Sequence, residues 1–217
     1  MSAVTDNQLS PTTGEPVSVV ASRNKMAIWL CILSSTTGSV ALLVAYSYLW
    51  SLNVNSSWAP PNNAWAELWP FWAICAGEVI AGVAMRWGWK GLQKGDRNRM
   101  LAGSLICAIV LLVVFVGQII QIATFPFGPS DGAYASCTFW FAFSNAGWIA
   151  LTMFLVFGIF NRTLARRLTP GNASHAGLVG MWVIWISGVA LLGAIFTTTM
   201  HESPNTNAPD FGNFQEP

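Results

Sequence analysis

The chain has 217 residues, of which 53% are hydrophobic and only 9% charged, with a formal net charge of +1. A soluble domain carries about 25% charged residues, so this composition excludes an ordinary water-soluble globule and points to a membrane protein. The net charge itself says little, because the charges are segregated along the chain.

Residues 1–25 are rich in Ser, Thr, Pro and Asn and read as a polar tail; no basic start runs directly into a short apolar core, so they do not read as a cleaved leader. Five apolar spans follow, at about 26–50, 70–89, 100–125, 134–160 and 177–200. Each holds about 20 residues or more, enough at ~1.5 Å per residue to cross a hydrocarbon core ~30 Å thick. The fold class expected is all-α, an integral membrane bundle of five transmembrane helices. Residues 201–217 read as a second polar tail.

Span one carries Ser34-Ser35-Thr36-Thr37-Gly38-Ser39, small residues at a spacing that lets helices approach closely in lipid. Its far end holds Tyr46, Tyr48 and Trp50, rings expected at a headgroup boundary. The loop that follows contains Trp58, Trp65 and Trp69 and reads as an interfacial belt or a partner contact. Span two opens at Pro70 and holds Glu78, the one acidic residue inside any span. Spans three and four are joined by a Pro/Gly corner, Pro126 to Ala133.

All ten Lys and Arg residues lie in the N-terminal tail or at the two connections between spans two and three and spans four and five. The opposite connections and the C-terminal tail carry only acidic charge. An excess of Lys and Arg marks the cytoplasmic side, so the N-terminus is expected inside and the C-terminus outside. The basic loops are short and adjoin the spans, which argues against a nucleic-acid partner.

No His lies well inside a span: His175 and His201 sit at or beyond the ends of the last one. The chain alone therefore offers no pair of haem ligands and no copper site within the membrane. Cys31, Cys75, Cys107 and Cys137 share no Cys-x-x-Cys spacing and read as small packing residues. There is no phosphate-binding glycine loop and no Ser/His pairing for a nucleophilic triad. The intramembrane polar residues Glu78, Gln118, Gln121 and Asn145 have to face the interior or a cavity, because lipid cannot satisfy them. Glu78 is the candidate functional carboxylate; Ser34, Ser35, Gln118, Gln121 and Asn145 are candidate interhelical polar contacts.

Several stretches carry a family resemblance. The turn Gly95-Asp96-Arg97 leads into a long span with Gln118; a Gly-rich corner follows, then Asp131-Gly132-Ala133-Tyr134-Ala135-Ser136 before paired aromatics, and Trp182 stands in a Trp-rich last span. In these features, over about residues 26–200, the chain resembles subunit III of the haem-copper oxidases, in its five-helix bacterial form. The polar signature differs. The family's Glu after a Ser in span one is replaced within Ser34-Ser35-Thr36, and its Gln-x-x-Glu becomes Gln118-Ile119-Ile120-Gln121. Two family histidines fall at Asn145 and Trp148, and a His and an Asp of the last span fall near Val183 and Ile186.

The resemblance implies an accessory subunit of a bacterial plasma membrane oxidase, without a redox centre of its own. It implies packing against catalytic subunit I, with subunit II in the complex, and phospholipid held between the helices; haem and copper belong to the partner. A subunit-III-like protein of another respiratory complex, such as a nitric oxide reductase, is the alternative within the class. A small transporter coupled through Glu78 is the alternative outside it. Because sequential spans tend to be neighbours, Glu78 is expected to face Ser34, Ser35 or Thr36, or a catalytic partner.

Overall fold

A computed structural model describes residues 14–54 and 57–205. Five long helices account for most of them: α1 Val17–Leu52, α2 Trp69–Gln93, α3 Arg97–Ala123, α4 Ala133–Leu164 and α5 Ser174–Thr199. Two single 3₁₀ turns, Pro61–Asn63 and Pro170–Asn172, interrupt the loops. Four helices (α1, α3, α4 and α5) are long and apolar enough to cross a membrane. Helix α2 is long enough but carries Glu78, Arg86 and Lys90. The helix α1 begins at Val17, inside the stretch read as a polar tail; residues 1–13 and 206–217, the remainder of the two tails, lie outside the described residues. The apolar pattern marks only what lipid would cover, and α1 continues past it through Arg23, which is paired with Glu15 at 2.9 Å.

Helices α2, α3, α4 and α5 form a ring, each packed against the next, with α5 closing back onto α2. Helix α1 lies outside this ring, principally against α4 and α5. Sequence order is thus a poor guide to the neighbours of α1. The reason is visible in composition: α1 has apolar residues all round and no single buried stripe, and among its described side chains only Ile32, Ser35 and Tyr46 are buried.

The ring is tightest between α2 and α3. A Cβ on Gly103 would stand 2.7 Å from the Ala84 carbonyl oxygen and from Gly88 Cα. Two backbones meet there, and only glycine permits it. Gly95, at φ +86°, turns the chain between the two helices. Asp96 then caps α3 by accepting the Arg99 amide proton at 3.0 Å. Arg97 reaches across to α4, donating from Nε to the Thr163 carbonyl (3.0 Å) and from Nη2 to the Leu164 carbonyl (2.9 Å). A cation on the last carbonyls of a helix satisfies orphan acceptors and complements the helix dipole.

The opposite end is closed by aromatic rings. Trp58 is only 1% exposed, and Tyr46 and Tyr134 are wholly buried. The Trp58 ring meets Tyr46 at 5.1 Å and Tyr134 at 5.8 Å, and Trp65 meets Tyr134 at 4.8 Å, all edge-on. The expectation that Tyr46 and the loop tryptophans face headgroups is therefore corrected for Tyr46 and Trp58, which plug the bundle; Trp69 and Tyr48 remain exposed. The loop is drawn inward by backbone bonds: Ala133 and Tyr134 donate to the carbonyls of Ser57 and Trp58, each at 3.2 Å. Those bonds satisfy free amides at the start of α4. They also explain Gly132, which has φ +119° and whose Cβ would stand 3.3 Å from the Ser57 carbonyl.

Residues after α5 fold back over this end. Trp58 Nε1 donates to the His201 carbonyl (2.9 Å), and the His201 ring lies 4.2 Å from that of Trp65. Burial holds the His201 imidazole below its ordinary range, against a smaller upward pull from Glu202. The fold thus favours the neutral ring. Its contribution is fully present above the ordinary imidazole pKa of about 6.5 and is lost as pH falls from there through the lowered value of the folded state. Amide hydrogen exchange at residues 201–205, corrected for intrinsic rates, should accelerate between about pH 7.5 and about pH 5.5. His201→Phe should remove that dependence; an unchanged pH profile would show that the ring does not hold the tail.

Candidate functional site

At one level inside the ring four polar side chains from three helices meet. Glu78 of α2 is wholly buried, Gln118 and Gln121 of α3 are nearly so, and Asn145 of α4 sits between them. Asn145 Nδ2 donates to Glu78 Oε1 (2.8 Å) and to Gln118 Oε1 (3.0 Å), and Gln118 Nε2 donates to Gln121 Oε1 (2.7 Å). The result is a continuous polar seam, Glu78 to Asn145 to Gln118 to Gln121. Glu78 lies roughly 14 Å along α2 from Trp69, nearer the aromatic end than the basic one. Among the described residues no cation pairs with Glu78. Its Oε2, Asn145 Oδ1 and Gln121 Nε2 are buried without a partner among the described residues.

Periodicity produces this meeting. Gln118 and Gln121 are three apart on α3 and share the face that also buries Leu111 and Val114. Glu78 lies on the α2 face of Ile74, Ala81 and Met85, and Asn145 adjoins the α4 face of Ala142, Ala146 and Ile149. A cavity of about 150 Å³ adjoins the seam at Gln118 and Asn145; Ser34, Ser35 and Ser39 of α1 also line it.

The expectation that Glu78 faces Ser34, Ser35 or Thr36 is corrected: Asn145 is its partner, because α1 is not its neighbour. Ser35 belongs to another contact. It accepts the indole proton of Trp185 (2.8 Å) and gives its own to the Ile32 carbonyl (3.1 Å). Thr36 likewise bonds back to the Ile32 carbonyl (2.6 Å). A single turn of α5 thus carries a pair of indole donors with different targets, since Trp182 Nε1 donates to Thr152 of α4 (2.9 Å). Sequence reasoning did not assign these two bonds. The available signal was Trp182 and Trp185 three apart, facing two apolar helices that each offer a hydroxyl.

A second polar group was also missed. Tyr46 OH, Tyr134 OH and Thr138 Oγ1 are all buried without a partner among the described residues, and the Thr138 hydroxyl neighbours both phenols. Tyr46 reads from sequence as a boundary ring, Tyr134 stands only in the run that carries the family resemblance, and a single Thr between aromatics gives no pattern.

Among the described residues, no three His, Cys, Asp or Glu side chains come together. His175 lies at the start of α5 against Asn24 (3.2 Å) and His201 beyond its end, about 39 Å away along the helix at ~1.5 Å per residue, so they cannot share a ligand. The four cysteines are free, three buried and Cys31 exposed.

These features define a multi-pass α-helical membrane protein with a polar seam inside a four-helix ring and one helix packed outside it. The family model described as cytochrome c oxidase subunit III matches residues 13–189, and the chain belongs to that family. No curated protein matches the chain. Membership places it among the subunits of oxidase complexes.

Proposed function

We propose that the protein is the accessory, non-redox subunit III of a bacterial haem-copper terminal oxidase in the plasma membrane. It packs against catalytic subunit I, in a complex that includes subunit II, holds phospholipid between its helices and keeps the catalytic subunit stable in turnover. Haem, copper and the dioxygen chemistry lie in the partner. Glu78 serves this role as the buried carboxylate that the family carries elsewhere. The observation that carries the reading is the family match over residues 13–189.

Gentle detergent purification tests this directly. The protein should co-purify with a larger, His-rich membrane subunit, and the preparation should show haem absorption bands. After separation from all other chains it should show none. Recovery as a lone chain, or haem bands that stay with it, would overturn the proposal. A partner of the nitric oxide reductase type would move it to the alternative complex.

The orientation follows from charge. All ten Lys and Arg residues lie in the N-terminal tail or at the α2–α3 and α4–α5 connections, which supports five spans with the N-terminus inside and the C-terminus outside. In a background where Cys31 is replaced by Ser, a cysteine at Ser130 should react with an impermeant reagent from outside, and one at Lys94 should react only after permeabilisation. The reverse pattern would overturn the orientation.

A further inference from the structure

The cavity beside the polar seam holds about 150 Å³, a volume at which a protein cavity accepts one benzene-sized ring. Its aromatic walls are Phe71, Phe141 and Trp148. Small residues, among them Gly38 and Gly193, keep the space between these rings open. Both hydrogens of Asn145 Nδ2 are already given, one to Glu78 and one to Gln118. What Asn145 has left is an acceptor, Oδ1, buried and without a partner among the described residues. A buried acceptor calls for a donor, so an occupant that carries a hydroxyl fits where a plain hydrocarbon does not.

The mouth of the cavity lies beside α1. Ser34 and Gly38 line the cavity and are also exposed. Leu30, Leu33 and Val40, on the same helix, are exposed apolar side chains. In a membrane that surface faces lipid, so a ligand reaches the cavity through the hydrocarbon phase and needs an apolar body.

We propose that this cavity binds the ring of a lipid-borne phenol or hydroquinone, held among Phe71, Phe141 and Trp148, with its O–H donated to Asn145 Oδ1 and its apolar tail leaving past Gly38. The site is a property of this chain and does not depend on which complex the chain joins. An acyl chain would fill the space without satisfying Asn145. Water would satisfy Asn145 without using the aromatic walls.

The test is a fluorine NMR titration of the full-length protein, purified with its accompanying chains, using para-fluorophenol and fluorobenzene as probes. A variant, Gly38→Leu, fills the mouth; nothing lies within 4 Å of the Cβ it adds, so the helix accommodates it, and it leaves the polar seam untouched. Para-fluorophenol should bind saturably and about tenfold more tightly than fluorobenzene, the worth of one buried hydrogen bond. Gly38→Leu should abolish that binding, and a short-prenyl hydroquinone should displace the probe. Equal binding of the two probes would make the cavity an acyl slot and overturn the proposal. So would the lack of saturable binding, binding that survives Gly38→Leu, or failure of the prenyl hydroquinone to compete.

Discussion

Replacing Glu78 by Ala is expected to lower unfolding stability by about 3 kcal/mol, the combined effect of a void in a packed interior and a buried amide left without its acceptor. Glu78 is wholly buried, and its Oε1 is one of the two acceptors that fix the Asn145 side chain. Without it the Asn145 amide is free to rotate, and the bond to Gln118 on the third helix of the seam loosens as well. Glu78→Gln keeps both the shape and the accepting oxygen, so it should stay within about 1 kcal/mol of the parent. Denaturant or thermal unfolding in detergent separates the two; equal losses in both variants would mean that the seam does not depend on that acceptor. The same pair addresses the proposed role. If the carboxylate supports proton uptake by the partner, the Glu78→Gln complex should assemble normally and then lose activity, or inactivate faster during turnover. If both variants assemble and turn over like the parent, the functional role is wrong. If only Glu78→Ala fails, through loss of assembly, the residue is structural.

Gly103→Ala is the second substitution with a large expected effect, although it adds one methyl group. The new Cβ would meet backbone atoms, the Ala84 carbonyl and Gly88 Cα, both at 2.7 Å, and backbone cannot rotate out of the way as a side chain can. The helices α2 and α3 must separate, which opens the packing of Met85, Met100 and Cys107 nearby. A loss of about 3 kcal/mol is expected, at the upper end for overpacking. Gly117→Ala is the matched control on the same helix: nothing lies within 4 Å of its added Cβ, and Ala favours a helix over Gly by about 1 kcal/mol. It should be neutral or slightly stabilising. Similar melting temperatures for the two variants would refute the close crossing.

Much of the architecture was legible because hydrophobic spans are long-range signals that need no partner to be read. The all-α class, the helix count and the interior placement of Glu78, Gln118, Gln121 and Asn145 follow from length and from the cost of polar groups in lipid. The family was also legible, from the Gly95-Asp96-Arg97 turn and the run from Asp131 to Ser136. Both now have physical explanations, since Gly95 and Gly132 stand at positive φ, Asp96 is a cap and Ala133 and Tyr134 fasten a loop. Which helix faces which was not legible. The expected Glu78–Ser35 neighbourhood rested on sequential adjacency, and adjacency fails for α1 because its apolar surface is nearly uniform. The fate of Tyr46 and Trp58 was hidden for a related reason: a ring near a span end suits a headgroup boundary and a buried plug equally well, and only the tertiary fold decides.

The attachment of α1 has a consequence for how the protein is made. Its far end is held by segments that come some 150 residues later: Trp50 Nε1 donates to the Glu202 carbonyl (2.7 Å), Asn53 Nδ2 to the Asn205 carbonyl (2.7 Å), and Ser203 Oγ to the Trp50 carbonyl (2.7 Å), across separations of 152, 152 and 153 residues. Ser35 waits similarly for Trp185, 150 residues on. A ribosome therefore delivers α1 to the bilayer well before its partners exist. During that interval the helix stands alone in lipid, where its uniformly apolar surface suits it, and its serines and threonines can turn back onto their own backbone, as Ser35, Thr36 and Thr37 still do. Of the five helices described, α1 is made before the others yet is fully fastened only after α5, and a ribosome stalled before α5 would leave a membrane intermediate in which α1 holds only its contacts to α4 and the aromatic loop.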